Sequence, residues 1–360
     1  MNRRFLLAAT AAVALSGTLA QPAAATDFKG KTITMIIPFG VGGGSDVWGR
    51  FNANLLQKHL PGQPAVVVKN QPGGGSISGA NFFAATAKPD GLTILGTSGS
   101  TQFPYLLGAP QVKFEYKDWI PILAAPTGGA AYLSSKLGVK SLKELDKIKG
   151  QKLHYASQGL TSLDLVPLLG FRMMGLDVNH IIGFPGRGEG RLAFERGETT
   201  IDYQTTSAYL RSSMPLIKSG EAIPLFSWGT LDKDGKLARD PNFPDLPHFE
   251  EAYEIVFGKK PSGLEWDAMR AFLVAGFPGQ KLLVLPKGTP NDIVETYRKA
   301  VRDLLKDPEY IAKRDDLIGE YDQLTDKEGE QLYVAATTIS PAARDWVRDF
   351  LVKNYNAKFD

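Results

Sequence analysis

An α/β protein of two units is the fold class this sequence predicts, and three observations carry the prediction. Apolar, strand-like runs alternate with amphipathic helical runs between residues 33 and 98 in the order βαβαβ, which implies a parallel sheet with right-handed crossovers. A second alternation of the same kind runs from 130 to 228. Finally, one local pattern occurs twice in the first hundred residues. A buried strand runs into a glycine loop and then a helix, as Ile36-Ile37-Pro38-Phe39-Gly40-Val41-Gly42-Gly43-Gly44-Ser45-Asp46 and again as Val66-Val67-Val68-Lys69-Asn70-Gln71-Pro72-Gly73-Gly74-Gly75-Ser76.

Taken in order, a strand at 33–38 precedes a helix at about 45–60, whose Val47, Trp48, Phe51 and Leu55 share one side; Pro61-Gly62 ends it. A strand at 65–69 leads through the second glycine loop to a helix over about 76–87, stopped before the turn Pro89-Asp90-Gly91, and a buried strand follows at 92–98. In the second unit, 130–133 reads as a strand and 141–148 as a helix with a Ser141 cap and Glu144 at the capping-box position. A strand at 152–156 enters the loop Ser157-Gln158-Gly159-Leu160-Thr161-Ser162, which opens a helix through about Met174. Strands at 181–184, 200–204 and 224–228 alternate with helices around 188–197 and 208–219. A loop rich in Pro and Asp covers about 231–247, a strand 282–285, and a helix about 291–306; the remainder reads as helical. Crossovers between the two units are expected at 123–126 and 224–228. The expected organisation is therefore a first lobe from 26–124, a second lobe from 125–224, and 225–360 returning to the first.

The first 25 residues read as an export signal. Arg3 and Arg4 form a basic start, 5–20 is apolar but interrupted by Ser16, Gly17 and Thr18, and Ala23-Ala24-Ala25 offers a cleavage site. The paired arginines raise twin-arginine export, but their flanks fit it poorly, so Sec export to a bacterial periplasm is expected. The 360-residue chain has no Cys, which excludes disulfides and thiolate metal sites. Its charge excludes little else: removing Arg3 and Arg4 from 41 Lys+Arg leaves 39 against 38 Asp+Glu, a net of +1. No basic cluster of the kind nucleic acid requires is present.

A glycine loop that opens a helix presents backbone N–H groups lacking intrahelical partners, at the positive end of the helix dipole. Such a loop holds an anion without a cationic side chain, and two of them from adjacent strands point to a pocket for a small carboxylate or phosphate. Neither loop is a nucleotide site. No Lys follows the glycines as a P-loop needs, Ser45 stands where a dinucleotide fingerprint has its third glycine, and Lys69-Asn70 stands where it needs an acid. His59, His154, His180 and His248 lack metal-ligand spacing, and no Gly-x-Ser-x-Gly elbow occurs. Asp232-Lys233-Asp234-Gly235 lacks the later ligands of a calcium loop and reads as a solvated turn. No metal and no cofactor are expected. Asp46 reads either as a dipole-stabilised cap or as a residue that orders its loop; Ser45 and Ser76 read as helix caps compatible with ligand contact. Arg187 and Arg191 read either as a solvated helix end or as partners for a second ligand carboxylate. Phe39, Phe184, Tyr203 and Trp228 suit either stacking on an aromatic acid or core packing.

In these motifs the chain resembles the extracytoplasmic receptors of tripartite tricarboxylate transporters, the Bug receptors. The resemblance rests on the Ile37-Pro38-Phe39 loop ending Gly43-Gly44-Ser45-Asp46 and on Asn70-Gln71-Pro72-Gly73-Gly74-Gly75 with Gly79. Further matches are Lys88-Pro89-Asp90-Gly91-Leu92-Thr93-Ile94, Tyr155-Ala156-Ser157-Gln158-Gly159, Ile217-Lys218-Ser219-Gly220, Leu285-Pro286-Lys287-Gly288-Thr289-Pro290 and Leu304-Leu305-Lys306-Asp307-Pro308-Glu309. It implies a two-domain periplasmic-binding-protein (type II, Venus flytrap) fold with the ligand in a cleft between lobes. It also implies a non-enzymatic, monomeric receptor that passes a small organic acid to membrane permease subunits. The site residues it implies are Phe39, Gly44, Ser45 and Asp46 in the first loop, Gly75 and Ser76 in the second, and Ser98 and Ser157 at strand ends facing the cleft; Thr161, Arg187 and Tyr203 are added as candidates from the residues themselves. The chain departs from the family at Gly183-Phe184-Pro185-Gly186-Arg187-Gly188 and in longer stretches at 229–247 and 254–280. The rival reading is an exported α/β enzyme acting on a small carboxylate, for which no nucleophile or acid–base motif can be quoted.

Overall fold

The central strands of the first sheet form where apolar residues run with little interruption, as burial on both faces of a sheet requires, whereas the edge strand at 65–70 is largely open on one face. The computed structural model describes residues 26–232 and 236–359; the export signal at 1–25 and most of the Asp232 turn lie outside the described residues. The first sheet contains β1 (Thr32–Ile37), β2 (Ala65–Asn70), β3 (Thr93–Thr97) and β4 (Ile120–Ala125). The second region holds β5 (Gly129–Ser134), β6 (Lys152–Ser157), β7 (Asp177–Ile182), β8 (Ile201–Thr205) and β9 (Ala222–Ser227), followed by a small hairpin, β10 (Thr230–Leu231) and β11 (Leu237–Ala238). β12 (Lys281–Leu285) then returns to the first sheet, whose order is β2-β1-β3-β12-β4. β1 pairs in parallel with β2 and β3, as expected from the crossovers, whereas β12 runs antiparallel to both of its neighbours.

Helix α1 (Gly44–His59) buries Trp48, Leu55 and Leu56 against the first sheet beside Tyr297, Val301 and Leu304 of a later helix. Its Trp48 indole N–H donates to Gln323 Oε1 at 2.6 Å, so a buried polar atom is paired where the side chain's large apolar surface is removed from water. α2 (Ile77–Thr86) covers the opposite face through Ala80 and Phe83, with Tyr116 and Trp119. Fully burying one such large side chain is worth about 1.5–3 kcal/mol.

The second region is mixed. β5 is central, antiparallel to β8 and β9, and the parallel pair β6–β7 joins it where Thr200 N–H donates to the His154 carbonyl at 2.9 Å. Its helices are α3 (Gly99–Leu106), which docks here from the end of β3, then α4 (Leu165–Met173), α5 (Arg187–Glu195), the short α6 (Thr206–Ala208) and α7 (Met214–Lys218), and α8 (Phe249–Phe257) and α9 (Leu264–Gly276). The remaining helices are α10 (Asn291–Leu304), α11 (Pro308–Ile318), α12 (Asp326–Ala336) and α13 (Pro341–Tyr355).

The expected lobe boundary at 225 is corrected by this topology. β9 stays in the β5 ladder to Ser227, and Phe249, Trp266 and Phe272 of α8 and α9 join the second core, so the first sheet resumes only at Lys281. α13 also packs into the second core, through Val347 and Phe350. Two further expectations shift: 141–148 is a 3₁₀ helix (Leu142–Ile148), and the strand expected at 181–184 ends at Ile182. The 208–219 helix is broken at Tyr209–Ser213 by a wider π-type turn.

Candidate binding cleft

The first glycine loop is shaped by Asp46. Its Oδ2 accepts from Gly42 N–H at 2.9 Å, while Oδ1 accepts from Asn70 Nδ2 at 2.8 Å and pairs with Arg50 at 2.9 Å. Burial works against its ionisation, but these partners outweigh it and hold the carboxyl below the ordinary Asp range. Asp46 therefore orders the loop and turns away from the cleft. Gly43 precedes α1 in extended backbone, and the first intrahelical bond is Val47 N–H to the Gly43 carbonyl. The amides at the start of α1 are thus left to face whatever lies across the cleft.

Across it lie two more helix starts. α5 is preceded by Gly186, and a Cβ on Gly43 would sit 3.5 Å from Gly188 N and 3.9 Å from Arg187 N, so the N-termini of α1 and α5 face each other. α3 begins at Ser98, whose hydroxyl accepts from Ser100 N–H at 3.2 Å in a capping box completed by Thr101. The three helix starts line one chamber with Phe39, Gly40, Gly43, Gly44, Ser45, Ser98, Ser100, Gln158, Leu163, Arg187, Thr205 and Gln280. Its free volume is about 20 Å³, room for one or two water molecules. No carboxylate is among these residues. Gln158 Nε2 and Gln280 Oε1 are buried without hydrogen-bond partners in its wall, a cost that native structures seldom leave uncompensated.

The lobes touch around this chamber. Ser207 Oγ donates to the Gly44 carbonyl at 3.1 Å, Gly40 N–H to the Pro185 carbonyl at 3.4 Å, and Leu163 N–H to Ser100 Oγ at 3.0 Å. A Cβ on Gly44 would fall 2.0 Å from Thr205 Oγ1, so only glycine permits this approach.

Arg187 reaches the chamber wall as part of a buried network and is not a solvated helix end. Its guanidinium donates to Asp202, to the Ala156 carbonyl and to the Tyr203 carbonyl, lies 3.6 Å from Asp164, and is sandwiched 4.8 Å from the ring centroids of Tyr155 and Tyr203. Burial opposes its charge, but the neighbouring rings and carboxylates hold it charged. Asp164 also accepts from Gln158 N–H at 2.7 Å and from Tyr203 Oη at 3.1 Å. Arg187 thereby ties the α5 start, β6, β8 and the Gln158 loop together. Two aspartates already pair with the terminal nitrogens of the guanidinium, while its Nε is buried without a hydrogen-bond partner.

The second glycine loop lies elsewhere. Gly75 lines an outer, wider opening with Gly74, Lys113, Gln158, Gly159, Thr161 and Ser162, and Ser100 and Gln158 line both spaces. Its backbone coils left-handed over four residues, with φ of 137° at Gly73, 57° at Gly74, 65° at Gly75 and 98° at Ser76. Ser76 makes no capping bond and donates instead to Thr101 Oγ1 at 3.0 Å, which corrects its reading as a cap.

Of the residues expected from the sequence, the chamber gathers Phe39, Gly44, Ser45, Ser98 and Arg187, and the opening takes Gly75 and Thr161. Asp46, Ser76, Ser157 and Tyr203 stand behind the walls. Ser157 Oγ accepts from Gly159 N–H at 3.2 Å, and Tyr203 is fully buried against Trp228, so stacking on a ligand is not available to it. Sequence reasoning missed Ser100, Leu163, Thr205 and Gln280 and quoted Gln158 only as part of a motif. Gln280 in particular follows the Pro278-Gly279 turn and carries no signal of its own. The histidines are dispersed: His59 meets Asp307 at 2.8 Å, His154 meets Asn179, and His248 caps α8. His180 is half-buried against Tyr155, and the loss of solvation lowers its pKa to about 4.

Two α/β lobes closing on a chamber of helix N-termini define a solute-binding protein. The chain belongs to the tripartite tricarboxylate transporter receptor family, whose model matches residues 49–271. It is similar to a UPF0065 protein of Bordetella pertussis, 31% identical over 300 residues that span 81% of this chain and 82% of that one. Among solved structures it is similar to the periplasmic binding protein BugD, with a TM-score of 0.70 and 20% identity over 92% of this chain and 99% of that one. It is also similar to MatC of Rhodopseudomonas palustris with bound malate, with a TM-score of 0.64 and 21% identity over 91% and 98%. The family and these neighbours are binding proteins.

Proposed function

We propose that the protein captures a small organic acid in the periplasm, as its carboxylate, between its two lobes, and delivers it to the membrane permease of a tripartite tricarboxylate-type transporter. The observation that carries this reading is the convergence of the α1, α3 and α5 N-termini on one chamber lined by hydroxyls, amides and the Arg187 side chain, with no carboxylate in the lining and Glu189 set behind Gly40. Such a wall offers donors and partial positive charge from three directions, which favours an anion over a neutral or cationic solute. The malate bound to MatC supports a carboxylate as the ligand class.

Chamber size bears on the mechanism. A cavity of about 20 Å³ does not hold a four-carbon acid, so the lobes must part to receive it and settle around it with a wider chamber than the ligand-free closure leaves. A ligand that contacts both lobes binds the closed form better than the open one, and that difference in affinity sets the closure equilibrium. Release to the permease requires the reverse motion at the connections between the lobes, among them those around 126–128 and 278–280.

A thermal-shift screen against malate, adipate, citrate, benzoate, glutamate and glucose tests the reading. An acid present at a hundred times its dissociation constant stabilises by about 2.7 kcal/mol, a shift of a few degrees for a chain of this size. Stabilisation by glucose but by none of the acids would overturn it.

A further inference from the structure

Behind the chamber lies a lysine that neither the glycine loops nor the family motifs announce. Lys281, the first residue of β12 and the immediate neighbour of chamber residue Gln280, is 2% exposed. Among the described residues no carboxylate oxygen lies within 4 Å of its ammonium; its contacts are two hydroxyls, Thr127 Oγ1 at 3.4 Å and Ser207 Oγ at 3.5 Å. Thr127 belongs to the crossover between the lobes, and Ser207 donates onward to the carbonyl of Gly44. Nζ is therefore one hydroxyl removed from the first residue of α1, on the side of the chamber where the lobes meet.

Most of the acids nearby are committed elsewhere. Asp46 is held by Gly42, Asn70 and Arg50. Asp240 accepts from Tyr321 and Asn242, and Tyr321 also meets Thr206 at 2.8 Å. Asp164 and Asp202 face Arg187, and Glu189 packs over Gly40 with its Oε2 buried and unpartnered. A buried ammonium without an anion is costly, and burial alone lowers this one's pKa to about 7. The carboxylate that the chamber is built to receive would give it a countercharge.

We propose that Lys281 supplies the hidden countercharge of the chamber, so that an organic anion enters together with a proton taken up at Nζ. The inference rests on the carboxylate reading above and adds a positioning residue and a proton linkage to it. Above neutral pH the empty receptor holds Nζ largely unprotonated, and an anion in the adjoining chamber favours the charged form. Binding at pH 8 then draws up to about one proton from the buffer, and affinity falls as pH rises from 7 to 9 even though a dicarboxylate probe is fully ionised throughout.

The test is calorimetric titration of the mature protein with malate, adipate and citrate at pH 8, in phosphate and in Tris, whose ionisation heats differ. Expected is uptake of between about half and one proton per acid bound, lost in Lys281→Met along with at least a tenfold weakening. Binding without proton uptake in the wild-type protein overturns the proposal and leaves the carboxylate reading standing, whether or not the variant folds. Wild-type uptake that persists in folded Lys281→Met overturns it too. Absence of heat with every acid defeats the carboxylate reading and this proposal together.

Discussion

The two glycine loops are near-copies in sequence and different devices in the structure. In the first, Gly42 alone has a positive φ, at 82°; Gly43 is extended and Gly44 begins a helix, so glycine is required there for clearance, with Thr205 directly across the cleft. In the second, four consecutive residues have positive φ and glycine is required for the dihedral itself, while the nearest atoms to a Cβ on Gly75, Ser162 Cβ at 3.4 Å and the Gln158 carbonyl oxygen at 3.6 Å, are at ordinary contact range. The first loop is a surface that the second lobe must touch; the second is a bent strut at the mouth. A glycine-rich string therefore reports backbone freedom or close approach, and only the packing says which.

The comparison can be broken by substitution. Gly44→Val should have the largest effect. Its side chain meets Thr205 and Ser207 only when the lobes close, so affinity for a bound acid should fall about a hundredfold while the melting temperature of the ligand-free protein changes little. Titration calorimetry and thermal melts read the two separately. Asp46→Ala should come next: it strips the loop of a carboxylate that accepts from Gly42 and Asn70, at a cost of about 1.5–3 kcal/mol in stability and a parallel loss of affinity. Because its folded pKa lies below its unfolded value, this contribution is present above about pH 4 and disappears as pH falls through the folded pKa. Denaturant unfolding of the wild type and variant at pH 3 and pH 6 should therefore show the gap closing at the lower pH.

Gly75→Ala should reverse the pattern of Gly44→Val. It forces a side chain into φ of 65°, costing about 1–2 kcal/mol of stability, and leaves affinity for a small acid within a few-fold of wild type. Ser76→Gly should do least. It relieves a left-handed serine and loses one bond to Thr101, opposing terms that leave the stability within about 1 kcal/mol.

What the sequence made legible follows the range of the interactions involved. β1, β2, β3 and their helices were readable because each is marked locally, by an apolar run, a glycine loop and a turn such as Pro89-Asp90-Gly91. The return of the chain was misjudged because β9 looks the same whether it pairs with β5 or with the first sheet; periodicity reports burial and says nothing of the partner. α9 buries Trp266, Met269 and Phe272 in the second core, a destination that depends on β9 remaining there. In the cleft, Phe39, Gly44, Ser45 and Ser98 were legible as residues around a helix start. Arg187 was found and its partners were not, since Asp164 and Asp202 are brought to it from two other elements. Gln280 and Lys281 became visible only when the hinge placed them beside the loop that begins α1.

The central claim is that the chamber recognises negative charge through helix-start amides, hydroxyls and side-chain amides. The most direct measurement is calorimetric titration with whichever of malate, adipate or citrate gives the largest thermal shift, compared with its methyl esters at the same pH. The account predicts saturable binding of the free acid and at least a hundredfold weaker binding of the fully esterified compound. Equal affinity for acid and ester would contradict it.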